Sequence, residues 1–131
     1  MKLKRLICLF LLICSLLTLT ANAENLVYNP QFSTDESGIH VDGWYGDCYV
    51  EENSLLFLDS DEQALYINSY DPNDARWQQD IKVKSGNTYR FSCYIKASGI
   101  PKTGRGANIS ILNTYVYSDS VFETNGEWQY V

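Results

Sequence analysis

The sequence has little histidine and little cysteine. It contains one histidine, His40, and four cysteines in 131 residues. Two of these, Cys8 and Cys14, lie in the N-terminal stretch, so that only Cys48 and Cys93 remain in the rest of the chain. These residues are too few for a structural zinc site, which takes about four such ligands. His40 also stands in no recognisable Ser-His-Asp motif, so the sequence offers no triad hydrolase.

Basic residues are scarce beyond the N-terminal stretch. The chain has 10 Lys and Arg, three of them within residues 1–23, against 16 Asp and Glu. Residues 24–131, which number 108, therefore hold 7 basic and 16 acidic side chains, a formal charge of −9. A domain of this charge suits phosphate backbones poorly, and we therefore expect neutral partners and no nucleic acid.

Long apolar runs occur only at the N-terminus. Basic residues at positions 2, 4 and 5 precede an apolar run over 6–19, and Ala21-Asn22-Ala23 follows. This pattern predicts a secretory signal peptide over residues 1–23, with an uncleaved anchor or a lipoprotein at Cys14 as alternatives. No second run of the roughly 18 apolar residues that a spanning helix needs follows. We expect a secreted or extracellular protein, including display at a cell surface, without a membrane span after residue 23.

Helical periodicity and internal repeats are absent from residues 24–131. Short runs rich in Tyr, Val, Ile and Phe are broken by Gly, Asn, Asp and Pro, which is typical of strands and turns. Many short strands in one domain-sized chain predict an all-β fold, an antiparallel β-sandwich of jelly-roll type. The predicted strands cover 26–28, 44–50, 54–58, 64–69, 76–83, 88–97 and 107–118.

The stretch "WQQDIKVKSGNTYRFSCYIKAS" (77–98) shows the clearest alternation. Side chains of successive strand residues point to opposite faces, so one set should fill the core and the other should face outward. The expected core set is Tyr89, Phe91, Cys93 and Ile95, and the outward set is Arg90, Ser92, Tyr94 and Lys96.

The last residues, "NGEWQYV" (125–131), predict a turn and the beginning of a strand on which Trp128 and Tyr130 share a face. Because an unpaired sheet edge favours aggregation, we expect the sequence to be a fragment whose closing strand follows. For an exported chain, Cys48 and Cys93 form either a disulfide or two buried free thiols.

Four segments together resemble carbohydrate-binding modules of families four and nine. They are "NLVYNPQF" (25–32), "GW" (43–44), "QDIKVKSGNTYRFSCYIKA" (79–97) and the tryptophan at 128. The resemblance implies a galactose-binding-like jelly roll that binds a plant or microbial polysaccharide in a groove on its concave sheet. It also implies linkage to a glycoside hydrolase or display at a cell surface.

This sequence departs from the family pattern at two places that often contribute to a structural calcium site in relatives. Ser33 stands where relatives commonly carry an acidic residue, and the strand with paired aspartates that closes the family domain is not present in the sequence. The acidic turns at 59–62 and 71–74 offer oxygen ligands but lack EF-hand spacing. The sequence therefore leaves a structural calcium site open as an alternative, without assigned ligands, and no other cofactor is expected.

Sugar rings have apolar faces and hydroxyl edges, so a site for them combines aromatic rings with amides or charged groups. Trp44 and Trp128 are expected in the core, whereas Trp77 suits either the core or a groove rim. The candidate stacking residues are Tyr94, Trp77, Tyr115 and Tyr117. The candidate hydrogen-bonding residues are Arg76, Gln78, Arg90 and Asn113.

The sequence contains no catalytic motif, such as a recognisable pair of carboxylates for glycoside hydrolysis. We therefore interpret the chain as a secreted, non-catalytic module that binds a polysaccharide, with any hydrolysis belonging to a linked domain. A structural or adhesive surface domain that contacts protein is one alternative, because a sandwich fold alone does not fix function, and a self-contained glycosidase is another.

Overall fold

A computed structural model describes residues 24–131, and the predicted signal peptide and the alternatives at Cys14 lie outside that range. The described residues form an all-β chain with one short 3₁₀ turn, Glu51–Asn53. Six strands pair into three two-stranded antiparallel sheets: β1 with β4, β2 with β3, and β5 with β6. The strands are β1 Tyr45–Cys48, β2 Ser54–Asp59, β3 Ala64–Ser69, β4 Ala75–Gln78, β5 Tyr94–Ile95 and β6 Gln129–Tyr130.

The hairpin of β2 and β3 is the longest paired unit. Its register runs from Ser54 opposite Ser69 to Asp59 opposite Ala64. The Asp59 carboxylate accepts hydrogen bonds from the backbone N–H groups of residues 61 and 62, at 3.0 and 3.1 Å. A short polar side chain that caps its own turn in this way favours a hairpin. The strands predicted at 54–58 and 64–69 therefore agree closely with β2 and β3.

The ribbon of β1 and β4 packs on this hairpin through a glycine. Gly46 lies opposite Trp77, and a Cβ atom at Gly46 would lie 2.8 Å from Cδ2 of Leu56 on β2. The absence of a side chain thus allows β1 to approach β2. The Trp77 indole N–H donates to the Tyr66 carbonyl at 3.1 Å, which joins β4 to β3. The two ribbons therefore share an apolar and hydrogen-bonded contact.

The ribbon of β5 and β6 alternates between an inner and an outer face. Tyr94 lies opposite Tyr130, and backbone hydrogen bonds between Cys93 and Val131 extend the pairing by one residue. Along residues 93–97, Cys93 and Ile95 are half-buried and Ala97 is buried, while Tyr94 and Lys96 between them are exposed. The alternation predicted for this part of the chain is therefore confirmed.

Several expected strands are shorter than predicted or do not form. Residues 26–28, 79–83 and 88–93 have no regular strand structure. Phe91 is 43% exposed, so the prediction that it fills the core is wrong. Within the described range the buried apolar side chains are Val41, Ala97 and Val121. The all-β class is thus confirmed, but the described strands form small ribbons.

Residues 107–118 fold back instead of forming one strand. Ser110 bridges to Tyr117, and Asn113 between them has a positive φ of 60°. Asparagine adopts the left-handed conformation more readily than most residues, and it therefore suits such a reversal. A second bridge joins Ala107 to Val121.

Side chains from the family-like segments meet at the N-terminal end of the described chain. The Gln79 amide bonds both the N–H and the carbonyl of Tyr28, at 2.8 and 2.9 Å, and donates to the Gly43 carbonyl at 3.0 Å. The Trp44 indole N–H donates to the Asn29 carbonyl at 3.1 Å. These segments are therefore joined by side-chain to backbone hydrogen bonds.

Asn29 organises the loop inside this cluster. Its amide nitrogen donates to the carbonyls of Ser33 and Asp42, both at 2.8 Å, and its amide oxygen accepts from the Ser33 N–H at 2.9 Å. Its backbone has a positive φ of 48°. The Phe32 ring packs edge-on against Trp44 with centroids 5.4 Å apart. Trp44 is half-buried here, in the packing role expected for it.

Candidate functional site

Three exposed aromatic rings, those of Tyr94, Tyr130 and Trp128, share the outer face of the ribbon formed by β5 and β6. Together with Lys96 they form a surface that we call the Tyr94 face. The Tyr94 and Tyr130 rings meet edge-on with centroids 5.4 Å apart. Trp128 comes two residues before Tyr130, and Lys96 two residues after Tyr94, so the period of a strand puts all four on one side. Tyr94, Tyr130 and Trp128 are 65%, 56% and 43% exposed, respectively.

Charged groups lie beside these rings. The Lys96 ammonium is 5.0 Å from the centroid of the Trp128 ring and 2.7 Å from a carboxylate oxygen of Glu62. Glu62 belongs to the turn between β2 and β3, so this ion pair connects the hairpin to the Tyr94 face. The expectation that Trp128 lies in the core is wrong, because its side chain is exposed and its ring lies beside the Lys96 ammonium.

The predicted residues of β4 form a second group. Arg76 Nε lies 3.0 Å from a carboxylate oxygen of Asp47 on β1, although no directed hydrogen bond forms between them. Gln78 Oε1 is shielded from solvent and has no hydrogen-bond partner among the described residues. Trp77 is half-buried by the contacts that join the two ribbons. The pKa of Tyr45, opposite Gln78, is raised by partial desolvation and by the nearby Asp80 carboxylate.

Trp77 also lines an open depression of about 1040 Å³ between β1, β2 and the loop before β1. Aromatic and acidic side chains contribute to its wall, among them Tyr45, Phe57, Asp47 and Glu51. His40 lines the same depression. The depression combines rings and carboxylates, but it contains only Trp77 of the eight predicted binding residues.

The remaining predicted residues lie elsewhere. Arg90 is exposed in the irregular segment before β5. Asn113, Tyr115 and Tyr117 lie in the folded-back segment, where the Arg105 guanidinium stacks 4.4 Å from the centroid of the Tyr117 ring. Within residues 24–131, no hydrogen bond, ion pair or aromatic contact joins the β4 group, Tyr94 and this segment. The structure therefore distributes the predicted site over separate surfaces.

Sequence reasoning did not assign binding roles to three members of the Tyr94 face, Tyr130, Trp128 and Lys96, nor to Glu62, which pairs with Lys96. The alternation of "EWQYV" did indicate that Trp128 and Tyr130 share a face. Their partner on β5 is more than thirty positions away, and the register that brings them together leaves no local pattern. No pattern in the sequence distinguishes Glu62 from an ordinary solvent-exposed carboxylate of a turn.

No group of three or more His, Cys, Asp or Glu side chains within residues 24–131 is arranged to hold a metal ion. Cys48 and Cys93 are both half-buried and carry free thiols. Burial raises the pKa of the Cys93 thiol, which disfavours the thiolate and lowers its reactivity.

One acidic side chain is held in its charged form by the backbone. Glu123 accepts hydrogen bonds from the N–H groups of Asn125 at 2.9 Å and Gly99 at 3.1 Å. These bonds lower the pKa of Glu123 below its ordinary value of 4.5. The carboxylate fixes a turn and takes no part in the Tyr94 face.

No helix within residues 24–131 has the length and apolar character needed to cross a bilayer. No family model, no curated protein and no solved structure matches the chain.

Proposed function

We propose that the protein is a secreted, non-catalytic carbohydrate-binding module of jelly-roll type that binds a neutral polysaccharide. A single observation carries the proposal: three exposed aromatic rings lie together on the Tyr94 face, next to a paired ammonium and carboxylate. The family-like segments of the sequence support it, and the small ribbons would be segments of the two sheets of the sandwich.

The Tyr94 face has the chemistry that a sugar chain requires. Exposed rings stack on the apolar faces of pyranose units, and burial of that apolar area on binding supplies the affinity. The phenol hydroxyls of Tyr94 and Tyr130, together with Lys96 and Glu62, offer donors and acceptors for sugar hydroxyls at the edge. With a formal charge of −9 over residues 24–131, an uncharged polymer is favoured over an acidic one.

The protein has no proposed hydrolytic role of its own. A linked glycoside hydrolase, or a cell surface that displays the module, would use it to keep a catalytic site or a cell close to the polymer. Linkage to the module raises the effective concentration of the polymer at the catalytic site or at the cell, and this is the physical advantage of such an arrangement.

The test is a fluorescence titration of residues 24–131 with soluble xylan, β-glucan and mannan. Trp128 lies in the proposed site, so we expect a saturable change with one polymer. Tyr94→Ala should weaken that binding roughly tenfold, because it removes one stacking ring. Tyr70→Ala is the matched control, since Tyr70 and Tyr94 are both 65% exposed and Tyr70 lies outside the face.

Each other result has a defined meaning. Absence of binding to all three polymers by a folded sample would contradict the proposal and favour the alternative, a domain that contacts protein. Equal losses for Tyr94→Ala and Tyr70→Ala would leave binding established but would remove it from the Tyr94 face.

A further inference from the structure

The charged residues of the described chain are segregated along the sequence. Residues 24–80 hold 13 acidic side chains and one basic side chain, whereas residues 81–118 hold six basic and no acidic side chains. The six cations are Lys82, Lys84, Arg90, Lys96, Lys102 and Arg105. Of these, only Lys96 forms an ion pair with a carboxylate inside the described range. Neutralisation is thus confined to the cation that belongs to the Tyr94 face.

The partner of Lys96 comes from a distant element. Glu62 lies in the turn between β2 and β3, and a carboxylate oxygen is 2.7 Å from the Lys96 ammonium. The same ammonium is 5.0 Å from the centroid of the Trp128 ring. The Lys96 and Glu62 side chains are 29% and 45% exposed, so a ligand on the rings can reach both groups. The cation therefore lies at the edge of the rings with its charge already balanced.

A balanced charge distinguishes neutral sugars from acidic ones. An unpaired Lys96 ammonium beside the rings would form an ion pair with the carboxylate of a uronic acid unit stacked there. With Glu62 in place, the ammonium already has a carboxylate partner, and a second carboxylate would be repelled at short range. Sugar hydroxyls are still bound, because an ammonium has three donors and a carboxylate has several acceptor sites.

We propose that Glu62 is a specificity-determining residue that restricts the Tyr94 face to uncharged sugar units and excludes uronic acids. This inference rests on the proposed function and names the residue that sets its preference for a neutral polymer. The net charge of the chain acts in the same direction, but salt screens that field beyond about 8 Å at physiological ionic strength. The exclusion by Glu62 acts through a single contact, and it therefore depends on Lys96.

The experiment compares xylan, β-glucan and mannan with their carboxymethylated forms in fluorescence titrations of the purified chain. The parent should bind one neutral polymer and should bind its carboxymethylated form more weakly. Glu62→Gln should reduce this preference roughly three- to fivefold, which is the factor that an exposed ion pair contributes. Asp61→Asn is the matched control and should keep the parent's preference, because it removes the same charge from the same turn but Asp61 has no ion pair among the described residues.

A double variant tests whether the effect depends on Lys96. Adding Lys96→Gln to Glu62→Gln should cancel the gain for the carboxymethylated polymer, because the released ammonium is then absent. The gain in Glu62→Gln should also shrink in about 1 M salt, where the screening length falls to about 3 Å. A loss of packing would not show this salt dependence. Circular dichroism of each variant verifies the fold.

The outcomes separate this inference from the proposed function. Binding of a neutral polymer without a change of preference in Glu62→Gln would overturn the role of Glu62 and leave the proposed function standing. An equal change in Asp61→Asn, or a gain that persists in the double variant, would overturn it in the same way. Absence of binding to both forms of all three polymers by a folded sample would contradict the proposed function, and the inference would fail with it.

Discussion

Asn29 offers the sharpest test of how the N-terminal cluster is held together. Its side chain makes three hydrogen bonds to backbone groups of Ser33 and Asp42. At roughly 0.5–1.5 kcal/mol each, and with some compensation by water, these are worth about 2–3 kcal/mol. Its positive φ of 48° adds about 1 kcal/mol for a residue such as alanine that disfavours this conformation.

We therefore expect Asn29→Ala to lower the free energy of unfolding by about 3–4 kcal/mol, and Asn29→Gly by about 1 kcal/mol less. Urea unfolding followed by tryptophan fluorescence measures both values. Trp44 is a suitable probe because its indole bonds the Asn29 carbonyl at 3.1 Å. With an m-value of about 2 kcal/mol/M, the alanine variant should unfold at about 1.5–2 M less urea.

Asn125 provides the matched control. It has a similar positive φ of 52°, but its side chain makes no hydrogen bond within residues 24–131. Asn125→Ala should therefore cost only the conformational part, about 1 kcal/mol. The reasoning is refuted if Asn29→Ala and Asn125→Ala cost the same, or if Asn29→Gly is as stable as the parent.

Two further predictions concern a glycine and a carboxylate. Gly43→Ala should lower the melting temperature far more than Gly38→Ala. Both glycines have a positive φ, 76° at Gly43 and 72° at Gly38, so the backbone strain of an alanine is similar at the two positions. Only at Gly43, however, would the added Cβ collide with the Tyr28 ring. A loss for Gly38→Ala as large as that for Gly43→Ala would contradict this. Glu123 has a lowered pKa in the folded state, so its stabilising effect is present above 4.5 and is lost as pH falls through the folded pKa. The melting temperature of Glu123→Gln should therefore fall less steeply on acidification than that of the parent. An unchanged slope would show that the Glu123 carboxylate is not responsible. The same change of slope in the control Glu36→Gln would show this as well.

Where pairing is local, the sequence predicted the strands well. The predicted strands at 54–58 and 64–69 agree with β2 and β3, because a self-capped turn joins them and alternation sets their register. The predicted strand at 76–83 stops early in the structure: after Gln78, the Gln79 amide bonds three backbone groups of two distant segments. An alternation pattern cannot distinguish a side chain that faces a core from one that replaces backbone pairing.

The candidate site was predictable only in part for the same reason. Tyr94 was identified as outward-facing from parity alone, and its neighbours on β5 confirm that parity. Its contact with Tyr130 and the ion pair of Lys96 with Glu62 depend on tertiary pairing between distant segments. Tyr115 and Tyr117 were assigned to a long strand, although the broken alternation in "ISILNTYVY" and the asparagine at its centre were compatible with a reversal.

The free thiols of Cys48 and Cys93 differ in their surroundings, and this difference allows one of them to be labelled selectively. Cys48 lines the open depression, whereas Cys93 sits on the inner side of β5 with its thiolate disfavoured. At neutral pH a limiting amount of a maleimide dye should therefore label Cys48 first, without any mutagenesis. An environment-sensitive dye at that position would report on occupancy of the depression. Trp44 and Trp77 line the same depression, so in a variant with phenylalanine at both positions the remaining Trp128 would report separately on the Tyr94 face. Two surfaces of one small protein could then be followed in a single titration by their different colours.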